Sequence, residues 1–537
     1  MPIKLLATLS LLVPALALSA TGPDSGDKPA ESAKGGSKPE NFQPEETRTR
    51  GSVVVDGRKI EYDAVAGTLV VHPRSWDDVP LNANPDEKTP QAQASMFFVA
   101  YFKSGNTGGA RPLTFLFNGG PGSASCWLHM GAFGPKRIVT ADNTYTPAAP
   151  YSIVNNDYSL LDVSDVVFID APGAGFSRIA GKDRDKAFYG VDEDAYAFSD
   201  FIVQFLTKYG RWNSPKYLLG ESYGTTRAAV LINMLETERS VRFNGVVMLS
   251  QILMFAGEGD EPQHNPGVDL PYLLTLPTYA ATAWYHHRLA NPPGDLPKFL
   301  DEVEQFALND YARALGAGAT LPEDQRSAIA NRLSQYTGLP VDYLLKANLR
   351  VNVGQFQQQL QANTDTATGR IDTRFSGPTL NPLAEEADFD PLFAAIGSAY
   401  VTAFNDYARR ELKVTTDRQF RLFADVEGKW NMNHKPPHAH EPVRGTGTNV
   451  MPDLANAMKY NPRLQVMLNA GYFDLATPFF QGVYEMKHLQ MPDKLQSNVS
   501  YEFYDSGHMV YAHDPSLKVF HDRVAAFIHR TQSSPAP

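Results

Sequence analysis

Short, unbroken apolar runs recur along the chain, separated by turn-forming clusters and by stretches whose apolar residues return at helical spacing. Ser52-Val53-Val54-Val55 and Arg58-Lys59-Ile60-Glu61-Tyr62 flank Asp56-Gly57, which predicts a hairpin on a two-residue turn, with order beginning near Gly51. Residues 96–102, 113–117, 166–170, 216–219 and 246–249 read as further strands. Ala195, Phe198, Ile202, Phe205 and Tyr209 share one face of a helix that Gly210 is placed to end, and residues 225–235 predict another. Strands alternating with helices imply an α/β fold: a mostly parallel sheet covered on both faces.

Between about residues 256 and 450 the rhythm becomes helical. Leu300, Val303, Ala307, Tyr311 and Ala314 keep one helical stripe. Thr320-Leu321-Pro322-Glu323 is expected to form a capping box for the next helix, which carries Ile329, Leu333 and Tyr336. Because this stretch interrupts the alternation, it is expected to be a largely helical cap over one edge of the sheet. Alternation resumes with strands at 464–468 and 499–504 and a terminal helix to about His529. The expected organisation is a core in two parts, 48–255 and 451–537, with the cap 256–450 inserted between them and no internal repeat.

The chemistry is concentrated in Gly220-Glu221-Ser222-Tyr223-Gly224, which fits the G-x-S-x-G nucleophile elbow. The motif requires a strand before it and a helix after it, and residues 216–219 and 225–235 supply them. Its glycines have a steric reason, since a strained turn packed on its own helix leaves no room for side chains. A serine nucleophile needs a base, and the base an acid to orient it. In alpha/beta-hydrolases these follow in the order serine, acid, histidine, each at a strand's carboxyl end. Asp474 follows the strand 464–468 and His508 the strand 499–504, in that order. Asp505 is the rival acid, being near His508 in sequence. An oxyanion hole would use the N–H of Tyr223 and another from the glycine-lined loop Asn118-Gly119-Gly120-Pro121-Gly122.

Composition narrows the setting. The chain has 537 residues, 43% of them hydrophobic and 20% charged, with a formal net charge of −11 that argues against nucleic acid or an anionic membrane as partner. Its single cysteine, Cys126, excludes any intrachain disulfide. Residues 1–20 read as an export signal: Lys4, an apolar stretch from Leu5 to Leu18 and the small residues Ala17, Ser19 and Ala20. Residues 21–47, rich in Gly, Pro, Ser and charge, are expected to be a disordered leader. No later apolar run approaches membrane-spanning length, and nothing in the sequence sets an oligomeric state.

Four blocks together resemble the signature of the serine carboxypeptidase family: Asn118-Gly119-Gly120-Pro121-Gly122, Asp170-Ala171-Pro172-Gly173-Ala174-Gly175-Phe176-Ser177, the elbow, and Gly507-His508-Met509-Val510. They stand in the family's order. The resemblance implies an alpha/beta-hydrolase fold, a Ser222–Asp474–His508 triad, an oxyanion hole from the N–H groups of Gly120 and Tyr223, and peptide substrates. It implies no metal and no cofactor. It also implies that Asn118 and Glu221 face the substrate's C-terminal carboxylate and that Met509 lies near the leaving residue. Two departures stand out. Ser123 occupies a position where the family often has a bridging cysteine, and Ala132 stands where the family commonly carries a second glutamate, which halves the expected acid pair.

Other features carry less. His434-Lys435-Pro436-Pro437-His438-Ala439-His440 lacks helical spacing and reads as a solvated loop rather than a metal site. Gly445-Thr446-Gly447 lacks the Lys-Ser/Thr of a phosphate loop, and Asn498-Val499-Ser500 matches a glycosylation acceptor. The leading expectation is an exported, secreted or periplasmic serine carboxypeptidase. The alternatives are an esterase or acyltransferase on the same triad, and a binding protein on a hydrolase scaffold, against which the complete set of Ser, Asp and His argues. Exported protein should begin at about residue 20 or 21 when its N-terminus is sequenced; finding Met1 there would exclude export.

Overall fold

The computed structural model describes residues 42–79, 91–105, 109–442 and 447–532, so the expected export signal and most of the expected leader lie outside the described residues. The first strand, β1 (Glu46–Val55), pairs antiparallel with β2 (Arg58–Val71) across Asp56-Gly57, both of which take positive φ as the two-residue turn requires. Order therefore starts earlier than Gly51, and Glu46 and Thr47, expected in the leader, are already paired with Gly67 and Ala66. Expectation failed here because the hairpin's outer end is polar and lacks the alternation that marks its inner end.

The sheet continues through β3 (Gln93–Lys103), β4 (Leu113–Phe117), β5 (Asp165–Ile169), β6 (Lys216–Glu221), β7 (Gly245–Leu249), β8 (Gln465–Gly471) and β9 (Val499–Tyr504). Its order is β1-β2-β3-β5-β4-β6-β7-β8-β9, with the short strand Arg178–Ala180 paired to β3 off this path. From β5 to β9 all neighbours run parallel, and β4, β5, β6 and β7 are buried along their whole length. Helices α1 (Val191–Lys208) and α2 (Tyr223–Thr237) follow as expected, and burial on both faces explains why these strands read as continuous apolar runs.

Between β7 and β8 the chain leaves the sheet. Helices α3 (Leu270–Tyr285), α4 (Leu296–Phe306), α5 (Glu323–Thr337) and α6 (Pro391–Arg410) dominate this excursion, with a small antiparallel pair, Thr366–Thr368 with Ser376–Pro378. The stripe from Leu300 to Ala314 is broken by a π-turn at Ala307–Tyr311. The expected capping box does not form. Thr320 Oγ1 donates instead to the Ala317 carbonyl (2.7 Å), and α5 begins at Glu323, after Pro322 as N-cap and without a side-chain cap. The chain re-enters the core through α7 (Met451–Tyr460), and α8 (Phe479–Lys487) and α9 (Asp514–Gln532) complete it.

Helix ends at Arg410, and from there residues 411–442 run as a strap on the core. Ala124 N–H donates to the Leu422 carbonyl (2.9 Å) and Ala424 N–H to that of Gly122 (2.8 Å), while Gly175 and Arg421 exchange backbone bonds of 2.6 and 3.0 Å. The strap thus fastens two glycine-rich loops, 118–123 and 171–177, where no disulfide is available. His434 pins its far end. Rather than lying in a solvated loop it is buried, with Nδ1 2.6 Å from Asp192 Oδ1 and Nε2 2.7 Å from Asp453 Oδ2. Burial disfavours its charge, but the bonds to both carboxylates prevail and push its pKa up to about 9. His438 and His440 are exposed.

The folded-state pKa of His434 lies above the ordinary histidine value, so its stabilisation is complete below pH ~6.5 and is lost as pH rises through about 9. His434→Ala, which leaves two carboxylates facing each other, should cost about 3 kcal/mol at pH 6. Denaturant melts at pH 6 and pH 10 should show that deficit shrinking at the higher pH; an equal deficit at both would assign His434 a purely steric role.

Candidate active site

The elbow is formed as its sequence dictates. β6 ends at Glu221, α2 begins at Tyr223, and Ser222 between them takes φ 61° and ψ −131°, a left-handed conformation that costs a side chain about 1–3 kcal/mol. The turn is held by Ser222 N–H donating to the Leu249 carbonyl of β7 (2.9 Å). Gly220 and Gly224 press on one another: a Cβ on Gly220 would collide with the Gly224 carbonyl. The serine is half-buried, while its two neighbours are buried.

The next strands bring the other candidates to the same edge. Ser250 N–H donates to the Asn469 carbonyl of β8 (2.8 Å), and Ser250 Oγ to the His508 carbonyl beyond β9 (2.7 Å). His508 Nδ1 stands 2.8 Å from Asp474 Oδ2, and both side chains are buried. Asp474 is held in turn: Oδ1 accepts the N–H groups of Ala476 and Thr477 (2.9 Å each), and Oδ2 accepts the Thr477 hydroxyl (2.7 Å). Thr477 Oγ1 is also 3.1 Å from His508 Nδ1, so one hydroxyl braces both members of the pair. Asp505, the rival, is exposed and makes no described hydrogen bond to His508. Among the described hydrogen bonds none joins Ser222 Oγ to His508. Burial opposes charge on His508, but Asp474 and, after it, Glu221 hold its pKa above the usual histidine value.

The glycine loop lies against the start of α2. A Cβ on Gly119 would strike the amide nitrogens of Tyr223 and Gly224 and the Glu221 carbonyl, and Gly120 takes φ +104°. Among the described hydrogen bonds none uses the N–H of Gly120 or of Tyr223. Asp170, from the second block, positions this loop: its Oδ1 accepts Ser125 N–H (2.8 Å), and its carboxylate fills the space that a Gly175 side chain would need.

Beside the serine lies a buried polar group. Glu221 Oε2 accepts the Tyr511 hydroxyl (2.8 Å), and nearby the Asn118 side chain accepts Leu128 N–H through Oδ1 (3.1 Å). Desolvation pushes the Glu221 pKa up to about 7, against the lowering pull of His508, Tyr511 and Asn118. Ala132 is fully buried in a π-turn, Leu128–Phe133, and its neighbour Gly131 lies against the Tyr400 hydroxyl and the Tyr511 ring. Phenols from α6 and from the segment after His508 therefore crowd the region that the resemblance assigns to a second carboxyl. Sequence reasoning missed Tyr511, Tyr400 and Thr477. Only Thr477 carried a signal, standing three residues beyond Asp474 in the same turn. Met509 is buried directly after His508.

Comparison with known proteins agrees with this fold and with the family that the four sequence blocks resemble. Residues 87–263 match the family model described as serine carboxypeptidase. A carboxypeptidase Y homolog of Arthroderma benhamiae is 30% identical over 181 residues, covering 32% of this chain and 34% of that protein. Serine carboxypeptidase-like 36 of Arabidopsis thaliana is 34% identical over 133 residues, 24% of each chain. The aligned stretch thus spans about a third or less of these relatives' length. The crystal structure of Kex1, a prohormone-processing carboxypeptidase from Saccharomyces cerevisiae, superposes with a TM-score of 0.52 at 15% identity, covering 87% of this chain and 91% of that one. The family this chain resembles is that of the serine carboxypeptidases, and its fold is the alpha/beta-hydrolase fold. Among the described residues no helix is long and apolar enough to cross a membrane.

Glu221 has a measurable signature. Its folded pKa of about 7 exceeds the ordinary 4.5, so the stability it contributes is complete below pH ~4.5 and lost as pH rises through 7. Glu221→Gln removes that titration, and should be more stable than the parent by up to about 3 kcal/mol at pH 8 yet equal to it near pH 4. Melting curves of both proteins across this range test it; a gap that does not vary with pH would place the Glu221 pKa at its ordinary value.

Proposed function

We propose that this protein is an exported serine carboxypeptidase that removes C-terminal residues from peptides through an acyl-enzyme on Ser222. The observation that carries the reading is the 2.8 Å contact between His508 Nδ1 and the multiply held Asp474, at strand ends adjoining the elbow of Ser222. In this mechanism His508 Nε2 takes the proton of Ser222 Oγ as the oxygen attacks the peptide carbonyl, and Asp474 stabilises the imidazolium that forms. The N–H groups of Gly120 and Tyr223 receive the developing oxyanion. His508 then gives the proton to the departing amine, and water repeats the sequence to release the acyl group. Asn118 and Glu221 hold the terminal carboxylate, with Met509 beside the leaving residue. None of these steps calls on a metal.

One observation favours a second reading, an esterase or acyltransferase on the same residues. Ala132 removes one of the two acids that would hold the terminal carboxylate, which weakens discrimination between free-acid peptides and blocked esters or amides.

Ser222→Ala and His508→Ala should each lower kcat by about 10⁴-fold or more, non-additively, with the fold intact. Asp474→Asn should be crippled and Asp505→Asn should not; the opposite pattern would move the acid to Asp505. A fluorophosphonate that labels a serine other than Ser222 would end the assignment. Assaying blocked dipeptides, their C-terminal amides and short acyl esters side by side separates the two readings. Preference for free-acid peptides supports the carboxypeptidase, and turnover of esters alone supports the other.

A further inference from the structure

A short segment of the cap reaches both the acid and the base loops. Residues 370–374, between the two small cap strands, run into the gap between the loop of Asp474 and the loop of His508. On one side Thr373 N–H donates to the Phe473 carbonyl (2.9 Å) and Leu475 N–H to the Arg370 carbonyl (3.0 Å), which brackets Asp474. On the other, His508 N–H donates to the Ile371 carbonyl (2.8 Å) and Gly507 N–H to Asp372 Oδ2 (3.2 Å). Gly507 has no space for a side chain, because the Asp372 carboxyl lies where its Cβ would be.

Asp372 is itself immobilised. Its side chain is 1% exposed, and Arg374, 3% exposed, donates to both of its oxygens at 2.7–3.1 Å, while Asp372 Oδ1 also accepts Arg374 N–H. Arg374 reaches on to Asp142 of the core (3.0 Å). Asp372 and Arg374 form a charged pair buried where the reaction has no direct use for it, directly behind the backbone of the base.

We infer that Asp372, oriented by Arg374, is a positioning residue that clamps the His508 loop at the distance from Asp474 that their hydrogen bond requires. This rests on the reading of Asp474 and His508 as acid and base. Asp372 touches neither substrate nor the reacting atoms; it acts through the Gly507–His508 backbone. The balance of the pair is exacting. Both Asp372 oxygens accept from N–H groups, so an amide at this position turns a donor towards Arg374 or Gly507 whichever way it lies. The charged groups facing His508 are Asp474 from the β8 loop, Glu221 from β6 and Arg370 from the cap segment; behind it stand Asp372, Arg374, Asp142 and His513.

Asp372→Asn, isosteric and expected to fold, is the test, with Asp372→Ala as the harsher variant. Two readouts are needed: peptide kinetics across pH, and the downfield proton resonance of His508 Nδ1–H in histidine-labelled protein. The clamp predicts kcat lower by about tenfold or more with KM within twofold, as expected when only the base is misplaced. It also predicts that the His508 proton moves upfield or exchanges away, and that the acid limb of kcat/KM shifts to lower pH as the support of Asp474 weakens. Folded Asp372→Asn with kcat within twofold and an unchanged resonance overturns the clamp. A parent protein that turns over no substrate, yet whose His508 resonance responds to Asp372→Asn, upholds the clamp and overturns the proposed function instead.

Discussion

The site depends on one buried ion pair, Arg227 with Asp194. Both side chains are essentially inaccessible, and Nε of Arg227 lies 2.6 Å from Asp194 Oδ2. Arg227 belongs to the helix that leaves the elbow and Asp194 to the first turns of α1, so the pair ties the two helices that flank β6. The guanidinium does more than balance a charge. It donates to the Asn118 carbonyl (2.8 Å) and lies over the rings of Phe198, Phe117 and Tyr223 at 4.3, 5.3 and 5.5 Å. One cation therefore sets the strand before the glycine loop, the loop itself and the residue after Ser222 in a single frame. Desolvation raises the pKa of Asp194 against the pull of Arg227, so removing the arginine would strand a carboxyl with no compensating charge. A pair of this kind contributes geometry more than stability, and here it fixes the glycine loop against the start of the helix that follows Ser222.

That frame is closed by backbone rather than by sulfur. The family this chain resembles often bridges the position of Ser123 with a disulfide; this chain has one buried cysteine, and a strap bonded to Gly122, Ala124 and Gly175 fastens the same loops. The strap's purchase is distributed: several hydrogen bonds along its length and one charged anchor at His434. A disulfide constrains the unfolded chain as well as the folded one, whereas these bonds act only once the core has formed. Fastening of this kind should be indifferent to reducing agents and should weaken as pH rises through the His434 pKa of about 9.

What could be read from the sequence follows from this division between local and distant causes. The strands from Leu113 to Tyr504, the helices beginning near Val191 and Tyr223 and the turn at Asp56-Gly57 are written in neighbouring residues, through apolar period and glycine placement. So are the elbow and the order of Ser222, Asp474 and His508. The remainder is set by partners far apart in the chain. Nothing near His434 announces Asp192, nothing near Asp372 announces Gly507, and nothing near Tyr511 announces Glu221. The strap falls inside the stretch expected as helical cap because its own residues carry no strand alternation, and only the distant edges it meets tie it to the core. Thr320 misled for the opposite reason: its local pattern was right for a cap, but the preceding turn had already claimed its hydroxyl.

The electrostatics of Glu221 and His508 then bear on the absent acid at position 132. Each group favours the charged form of the other: His508 lowers the Glu221 pKa, and Glu221 raises that of His508. Near neutrality the buried pair can hold its proton on either member. In the proposed reaction a peptide carboxylate entering beside Glu221 would repel its ionised form and favour proton uptake there, and with Glu221 neutral His508 would lose one of its two carboxylate supports. The base is then weaker, but the share of it in the neutral, proton-accepting form at a given pH is larger. A blocked C-terminus brings no charge and makes no such demand. Tyr511 sharpens the contrast, because its hydroxyl donates to Glu221 in either state and so holds the carboxyl in place without supplying a proton. In a site with a second glutamate the pair of acids could share one proton and leave the base undisturbed. On the proposed carboxypeptidase reading, alanine there means that recognition of the terminal carboxylate and the strength of the base would be drawn from the same carboxyl, so substrate charge and catalytic pH could not be tuned apart.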